Sequence, residues 1–230
     1  MPSRKRSRLL SWYRKAVLLA ILVALLPLGL TALYSVVPPV STLMLARWAT
    51  LQPVDRRFVP YAQIAPVVAA SVIGSEDARF CRHHGVDWDA LRLVIADSDD
   101  EDGPRRGAST IAMQTAKNLF LWPGRSYIRK GLEIPLALML DFVWSKEQLL
   151  TTYLNIAEWG DGVFGIEAAA QIYFHRPASR LTAHQAALLA AALPNPILRD
   201  TARPKRGQRL RASRVAVIAR SMKPWLDCLP

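Results

Sequence analysis

The stretch VIGSEDARFCRHHGVDWDAL, residues 72–91, places a dense group of charged side chains between two helical patterns. Residues 60–75, which lead into it, keep their apolar side chains on one face at helical spacing. Asp87 is a good N-cap for a second helix, in which apolar residues again recur at helical spacing. The pattern predicts two helices joined by a charged turn that begins at Glu76.

The rest of the body follows a helical pattern as well. No run of alternating apolar and polar residues is long enough to predict a sheet. Pro135 lies inside an apolar helical segment and is expected to bend or interrupt it. We therefore predict one compact all-α domain. Its further helices are predicted to begin at the N-caps Ser109, Ser126, Ser145 and Thr182.

An uncharged run of 22 residues, residues 16–37, precedes the body. At about 1.5 Å per residue this run can cross a hydrocarbon core of about 30 Å, and it is too long for the apolar part of a signal peptide. The basic residues before it, within residues 1–15, predict an N-terminus that stays in the cytoplasm. We expect a single-pass anchor in a bacterial inner membrane rather than a buried soluble helix, with the body in the periplasm.

The net charge of +12 is carried by the two ends of the chain. Besides the basic N-terminal tail, residues 199–230 hold nine lysine or arginine residues against Asp200 and Asp227. A basic tail on a membrane-anchored chain favours contact with anionic lipid headgroups, and a position beyond the membrane argues against nucleic acid as a partner. Cys81 and Cys228 permit a disulfide there without indicating one.

The first cluster that could carry chemistry surrounds Glu76. A carboxylate beside apolar surface suits proton abstraction near neutral pH, and Glu76 follows such a surface. An exposed acidic helix end is the alternative, and both readings stay open. The adjacent His83 and His84 would point in different directions on a helix, and no third and fourth ligands are apparent. We therefore predict no zinc site.

The second cluster is a polar stripe on the helix after Ser109. Thr110, Gln114 and either Lys117 or Asn118 recur at helical intervals on one face. Hydrogen-bond donors without a carboxylate suit an anionic or sugar ligand. A solvated helix face remains the alternative.

The third cluster is a charged triplet that opens the next helix. Arg129 and Glu133 stand four residues apart, and Lys130 and Glu133 stand three apart. An exposed ion pair of this kind contributes only about 0.2–0.5 kcal/mol and would be the default interpretation. The nearly all-apolar residues 134–144 that follow favour a cleft instead, and the two interpretations stay open.

Four segments in order match the motifs of one family: SEDARFCRHHGVD (75–87), RGASTIAMQTAKNLFL (106–121), RKGLEIPLALMLDFVWSKEQLLTTYLNIAEWGDGVFGIEAAAQIYF (129–174) and LTAHQAALLAAALPNP (181–196). With them the chain resembles glycosyltransferase family 51, the domain that polymerises bacterial peptidoglycan, in its monofunctional form without a transpeptidase domain. The resemblance implies an all-α, lysozyme-like, two-lobed fold whose smaller jaw dips into the membrane. It also implies that the substrates are lipid II and the lipid-linked glycan chain.

The resemblance carries roles to individual residues. Glu76 matches the catalytic base, which takes the proton from the 4-hydroxyl of the acceptor sugar. Lys117 and Arg129 match the cations that stabilise the departing undecaprenyl pyrophosphate. Glu133 matches a second essential carboxylate, which orients Arg129 or the donor, or holds a divalent cation such as Mg²⁺ on the pyrophosphate; no other cofactor is implied. The remaining substrate-binding positions are matched by Asp77, Phe80, His83, Thr110, Gln114 and Asn118.

This sequence departs from the family pattern at a few positions. Ala112 and Met113 stand where a hydroxyl residue and Gln are usual, which bears on contacts with the acceptor. Asp141 and Gln185 each replace a usual Glu. The charged segment DSDDEDGPRR, residues 97–106, is expected to form a mobile loop between the two lobes, where a water-excluding lid would suit the site.

We expect two rival functions to be excluded. A lytic transglycosylase or lysozyme-like hydrolase would have no use for Lys117 and Arg129, and a catalytically weak scaffold of cell-wall assembly would not need every charge of the cleft.

Further expected partners are inner-membrane lipids and proteins of cell-wall synthesis or cell division. The predicted organisation is a cytoplasmic tail (1–15), a transmembrane helix (16–37), a linker (38–59), a glycosyltransferase domain (60–198) and a basic C-terminal helix or tail (199–230).

Overall fold

The computed structural model describes residues 3–97, 108–124 and 126–230. The chain divides into two compact units, Met1–Val37 and Pro38–Pro230, and each is described by itself. The predicted charged loop, residues 97–106, lies outside the described residues apart from its first member.

The first unit contains one long helix, α1 (Ser3–Leu33). Its Ser11–Leu33 portion is long and apolar enough to cross a membrane, with a mean hydropathy of 2.7. The helix ends at Leu33, before the predicted end of the span, and residues 34–37 form a turn. Two prolines follow this turn, and proline disfavours continuation of a helix. The unit fits a single-pass membrane anchor.

The second unit is mostly helical, which confirms the predicted fold class. Short 3₁₀ turns lie at Tyr61–Gln63, Ala178–Arg180 and Lys223–Trp225. The α-helices are α2 (Thr42–Ala49), α3 (Pro66–Glu76), α4 (Trp88–Asp97), α5 (Ile111–Phe120), α6 (Tyr127–Val143), α7 (Lys146–Ile156), α8 (Ile166–Phe174), α9 (Ala183–Ala192) and α10 (Arg206–Ser221).

A small sheet accompanies the helices, although the sequence predicted none. It consists of β1 (Asp55–Arg56), β2 (Glu158–Gly160) and β3 (Val163–Phe164), in the order β1-β3-β2. β3 pairs parallel to β1 and antiparallel to β2. Strands of two or three residues are too short to show the alternation from which a sheet is recognised in a sequence.

The core forms where α9 packs against α3 and α10, and where α5 packs against α6 and α7. Ala186–Ala192 of α9 are all buried, and the five alanines among them let the neighbouring helices approach closely. In α3, Val68, Val72 and Ile73 are nearly or fully buried. This packing fixes the carboxyl end of α3, where Glu76 is the last helical residue.

The predicted helix starts agree with the structure in three of four places. Ser126, Ser145 and Thr182 each accept a hydrogen bond from the backbone N–H three residues on. At α5, however, Thr110 rather than Ser109 is the N-cap, because its Oγ1 accepts from the Met113 N–H at 3.1 Å. α6 continues through Pro135, so this proline does not interrupt it.

Residues 38–59 and 199–230, predicted as linker and basic tail, lie in the same compact unit as the residues between them. α2 within the first segment buries Met44 completely. In the second segment α10 packs on α3 and α9, and a disulfide joins Cys228 to Cys81 across 147 residues of sequence. The pairing that the sequence left open is therefore present in the structure.

Gly85 allows α6 to pack against the turn after α3. Its φ is +75°, and a Cβ there would lie 2.7 Å from the carbonyl oxygen of Ala137. The Gly85 carbonyl also accepts a hydrogen bond from Thr110 Oγ1 at 2.6 Å. Both the left-handed backbone and the close approach favour glycine at this position.

We predict that Gly85→Ala lowers the free energy of unfolding by about 3 kcal/mol, from backbone strain and from displacement of α6. Chemical denaturation in detergent micelles measures this change. Gly131→Ala is the matched control, because a Cβ there meets nothing within 4 Å. In a helix interior that substitution should be neutral or stabilising by up to about 1 kcal/mol. Equal stability of the two variants would contradict the prediction.

Candidate active site

Glu76 lies at the carboxyl end of α3 and is partly exposed. Its Oε1 accepts a hydrogen bond from Ser75 Oγ at 3.1 Å, and its Oε2 accepts one from Gln114 Nε2 at 3.2 Å. The carboxylate is therefore held in place on both oxygens while part of it stays accessible. This arrangement suits a group that must accept a proton from a bound molecule.

The residue after it, Asp77, ties α3 to α5. One carboxylate oxygen accepts the Ile111 N–H at 2.9 Å, and the other lies 2.8 Å from His83 Nε2. Both Asp77 and His83 are buried. Asp77 therefore satisfies a backbone N–H in the first turn of α5, where a negative charge is also favoured by the helix dipole.

Phe80 and Thr110 are buried in the same region. Lys146 Nζ lies 4.8 Å from the centre of the fully buried Phe80 ring, and Thr110 joins α5 to Gly85 through its hydroxyl. The structure thus buries four predicted site residues near Glu76, where they join neighbouring segments of the chain, and none of them lines the cavities described below. These four are Asp77, Phe80, His83 and Thr110.

The polar face of α5 lines two adjoining cavities of about 190 Å³ each. Lys117 and Asn118 contribute to the walls of both cavities. Gln114 lines the first cavity, and Arg129 lines the second. Three residues of the stripe, Gln114, Lys117 and Asn118, therefore face these two adjoining cavities, which together form the cleft. Gln114 joins this face of α5 to Glu76.

The charged triplet on α6 is not an exposed surface pair. Arg129 and Glu133 are 9% and 2% exposed, and they are joined by a hydrogen-bonded ion pair. The second oxygen of Glu133 accepts from Lys130 Nζ at 2.8 Å, and Lys130 also contacts Ser109 Oγ. This buried network fixes the Arg129 side chain beside the second cavity.

Lys117 sits in the field of this network. Burial lowers the pKa of its ammonium group below the usual value, Glu133 partly offsets this effect, and Arg129 and Lys130 lower the pKa further. Glu76 also acts weakly to raise it. A desolvated cation among other cations is stabilised when an anion enters the cleft, so the site is suited to an anionic ligand.

The described residues offer no cluster of three or more His, Cys, Asp or Glu side chains that could hold a metal ion. Both carboxylate oxygens of Glu133 are already occupied by the cations of Arg129 and Lys130. Glu133 therefore does not present a free carboxylate to a divalent ion, and we derive no step through a metal.

The sequence did not predict the two other titratable residues of the first cavity besides Lys117, which are Tyr153 and Glu158. In the sequence Tyr153 has the pattern of a core residue of α7. In the structure its hydroxyl donates to Gln114 Oε1 at 2.9 Å. Glu158 begins β2 and lies 3.1 Å from Arg47, while burial raises the pKa of its carboxyl group. Neither contact has a signal in local sequence, because each joins distant segments of the chain.

Three residues that depart from the family pattern are Ala112, Met113 and Asp141, and the structure shows what each contacts. Ala112 and Met113 are fully buried, so they face the core rather than an acceptor in the cleft. Asp141 keeps a carboxylate role, since its Oδ1 accepts from Lys146 Nζ at 2.6 Å.

The polar face of α5 thus joins a carboxylate, through Gln114, to cavity walls that carry the cations of Lys117 and Arg129. An enzyme with these groups can activate a hydroxyl group and stabilise an anionic leaving group. Comparison with known proteins identifies the family. The family model for the transglycosylase domain matches residues 44–223.

Relatives match the chain over nearly their whole lengths. A biosynthetic peptidoglycan transglycosylase of Brucella suis biovar 1 (strain 1330) is 56% identical over 220 residues, covering 94% of this chain and 98% of the relative. Proteins of the same name from Agrobacterium fabrum (strain C58 / ATCC 33970) and Rhizobium johnstonii (strain DSM 114642 / LMG 32736 / 3841) are 52% identical over 214 residues and 48% identical over 237. They cover 92% and 100% of this chain, and 93% and 94% of those relatives.

The chain belongs to the transglycosylase family. This confirms the resemblance predicted from the motifs and the lysozyme-like, mostly helical fold class that the resemblance implied.

Proposed function

We propose that this chain polymerises lipid II into β-1,4-linked glycan strands, with Glu76 as general base and Lys117 and Arg129 stabilising the departing undecaprenyl pyrophosphate. The chain is a peptidoglycan glycosyltransferase of cell-wall synthesis, and its substrates are lipid II and the growing glycan. The observation that carries the residue assignment is the hydrogen bond from Gln114 to Glu76, which joins this carboxylate to the polar face of α5. On that face Lys117 lines both cavities, and Arg129 of α6 lines the second.

On the acceptor side, Glu76 takes the proton from the 4-hydroxyl of the acceptor sugar. The oxygen then attacks the anomeric carbon of the lipid-linked donor from the face opposite the pyrophosphate, which inverts the configuration to β. Gln114 and Ser75 hold the carboxylate while it accepts the proton.

On the donor side, breaking the bond to the pyrophosphate leaves negative charge on its oxygens. Lys117 and Arg129 stand at the cavity wall where preorganised cations would stabilise that charge. Glu133 holds Arg129 in this position through its buried ion pair, which makes it a positioning carboxylate in this proposal. Asn118 adds a neutral donor to the same wall.

The lowered pKa of Lys117 leads to a pH prediction. The charged form binds the anion, so affinity for a phosphoglycolipid donor mimic is highest below this pKa and falls as the pH rises through it. Lys117→Arg keeps its charge at alkaline pH. We expect the affinity of the wild type to fall between neutral and alkaline pH more than that of the Arg variant, measured by calorimetric titration. Equal declines would contradict a role for Lys117 charge.

The predicted organisation of the chain supports a periplasmic site at an inner membrane. We propose that residues 1–15 remain cytoplasmic and that the span predicted at 16–37 crosses the membrane with the helix that ends at Leu33. The compact unit Pro38–Pro230, which contains the predicted linker (38–59), catalytic domain (60–198) and basic segment (199–230), would then lie in the periplasm. The Cys81–Cys228 disulfide is in keeping with an oxidising compartment.

Two surfaces of the second unit fit contact with lipid. On α6, Tyr127, Ile128 and Phe142 are 98%, 75% and 92% exposed, as a jaw dipping into the bilayer would require. The basic residues of 199–230 suit anionic headgroups. We propose membrane lipids as partners on these grounds, and leave proteins of cell-wall synthesis or cell division as an expectation of the sequence.

The test of this function uses the full chain in detergent with lipid II or with preformed glycan strands, followed by separation of products by length. A synthase lengthens lipid II into strands and leaves preformed strands at their original length. A lytic enzyme would shorten the preformed strands, and a scaffold would change neither substrate.

A further inference from the structure

Tyr153 lies in the middle of α7 with its side chain almost fully buried. Its hydroxyl donates a hydrogen bond to Gln114 Oε1 at 2.9 Å. The Gln114 Nε2 in turn donates to Glu76 Oε2 at 3.2 Å. Three residues from three helices, α7, α5 and α3, are thus connected in one line that ends at the carboxylate.

The direction of these hydrogen bonds is determined by chemistry. An ionised carboxylate only accepts hydrogen bonds, so Glu76 requires the NH₂ group of the Gln114 amide. A glutamine amide can rotate by half a turn and exchange its oxygen for its nitrogen. The rotated amide would set two acceptor oxygens, one from Gln114 and one from Glu76, against each other. A donor on the far side of the amide therefore selects the orientation that serves Glu76.

Tyr153 supplies that donor over the whole working range of pH. Burial raises the pKa of its hydroxyl well above the usual value, and the negative charges of Glu76 and Asp77 raise it further. The hydroxyl therefore keeps its proton near neutral pH. In the rotated amide this buried O–H would face an NH₂ group and lose its acceptor, which is costly away from water.

We propose that Tyr153 is a positioning residue, whose hydroxyl fixes the amide of Gln114 so that the amide NH₂ holds the Glu76 carboxylate in its reactive orientation. The proposal rests on the proposed role of Glu76 as general base. Tyr153 itself does not touch the reacting atoms. It acts on Glu76 only through Gln114.

Tyr153→Phe removes the hydroxyl and keeps the ring in the core. In lipid II polymerisation we expect kcat to fall about fivefold to tenfold, the effect of one lost hydrogen bond in a positioning chain. We expect KM to change less than twofold, because the variant leaves Lys117 and Arg129 intact. Tyr61→Phe is the matched control, since Tyr61 is a half-buried tyrosine in a 3₁₀ turn that contacts α7 and its hydroxyl is not bonded to Gln114.

A double-mutant cycle separates positioning from a general loss of stability. Gln114→Ala removes the residue through which Tyr153 acts, so adding Tyr153→Phe to it should lower kcat no further. A merely structural tyrosine would lower kcat by the same factor in both backgrounds. Additive effects, or a Tyr153→Phe variant with unchanged kcat, would overturn the proposal.

A second readout does not depend on turnover. In the wild type, the side-chain amide protons of Gln114, observed by NMR after glutamine labelling, should exchange slowly because both ends of the amide are bonded. Tyr153→Phe should speed this exchange, and Tyr61→Phe should not. Unchanged exchange in Tyr153→Phe would overturn the proposal even if the enzyme polymerises lipid II. A wild type that fails to polymerise lipid II would instead refute the proposed function, while the exchange result would still decide whether Tyr153 fixes the amide.

Discussion

Glu76→Gln is expected to lower kcat for lipid II polymerisation by about a hundredfold to ten-thousandfold, the range that general-base catalysis contributes. The amide has the shape of the carboxylate but cannot take the proton from the acceptor hydroxyl. Its one oxygen can still accept from Gln114, and its NH₂ group can donate to Ser75 Oγ, so the end of α3 should keep its structure. Steady-state rates of glycan formation with the purified full chain give this number.

The control for this variant is Glu147→Gln, which makes the same chemical change at an exposed position in the first turn of α7. Its rate should equal that of the wild type, and thermal unfolding of both variants should match the wild type within a few degrees. A Glu76→Gln variant that polymerises at the wild-type rate would remove Glu76 from the base role and leave the cleft without its proposed proton acceptor.

Lys117→Ala is expected to weaken binding of a phosphoglycolipid donor mimic such as moenomycin by about tenfold to a hundredfold, the loss expected for one charge-assisted hydrogen bond. Lys117 lines both cavities, and the charges of Arg129 and Glu133 act on its pKa. Among the described residues that line the second cavity, removing Lys117 leaves Arg129 as the remaining cation. Calorimetric titration at neutral pH and low salt measures the change in affinity.

Lys205→Ala is the matched control, because Lys205 is an exposed cation at the start of α10 that lines neither cavity. It tests whether any lysine of this basic chain contributes equally through long-range attraction. Affinity that is unchanged in Lys117→Ala, or reduced equally in both variants, would exclude Lys117 from a specific pyrophosphate site.

Much of the site could be predicted because its spacing is local. Gln114, Lys117 and Asn118 fall on one face of any helix through this segment, so the sequence was sufficient to place them together. The start of α5 was predicted one residue early, since Ser109 and Thr110 are both good N-caps and only the geometry of the turn selects between them.

The rest depended on contacts between distant segments. An Arg129–Glu133 pair has the same spacing on an exposed helix as on a buried one, so only tertiary packing shows that the pair is buried and that Arg129 lines the second cavity. Tyr153 meets Gln114 across 39 residues, and Cys81 meets Cys228 across 147. No periodicity within one element encodes such a pairing.

The effects of the departures from the family pattern also could not be predicted from the sequence. The sequence associated Ala112 and Met113 with the acceptor, whereas α5 turns both into the core. Gln185 replaces a usual Glu, yet it completes the capping box with Thr182, because its side-chain oxygen accepts the Thr182 N–H at 3.0 Å. A change of residue type therefore says little until the face of the helix that carries it is known.

The central claim, glycosyl transfer from a lipid-linked donor with release of undecaprenyl pyrophosphate, is tested most directly by a mass balance on one reaction. The full chain is incubated with lipid II in detergent, and the disaccharide units in β-1,4-linked polymer are counted against the undecaprenyl pyrophosphate released. The proposed mechanism predicts one pyrophosphate for each bond formed and no free reducing disaccharide. Pyrophosphate release without polymer, or new reducing ends in preformed glycan, would contradict it.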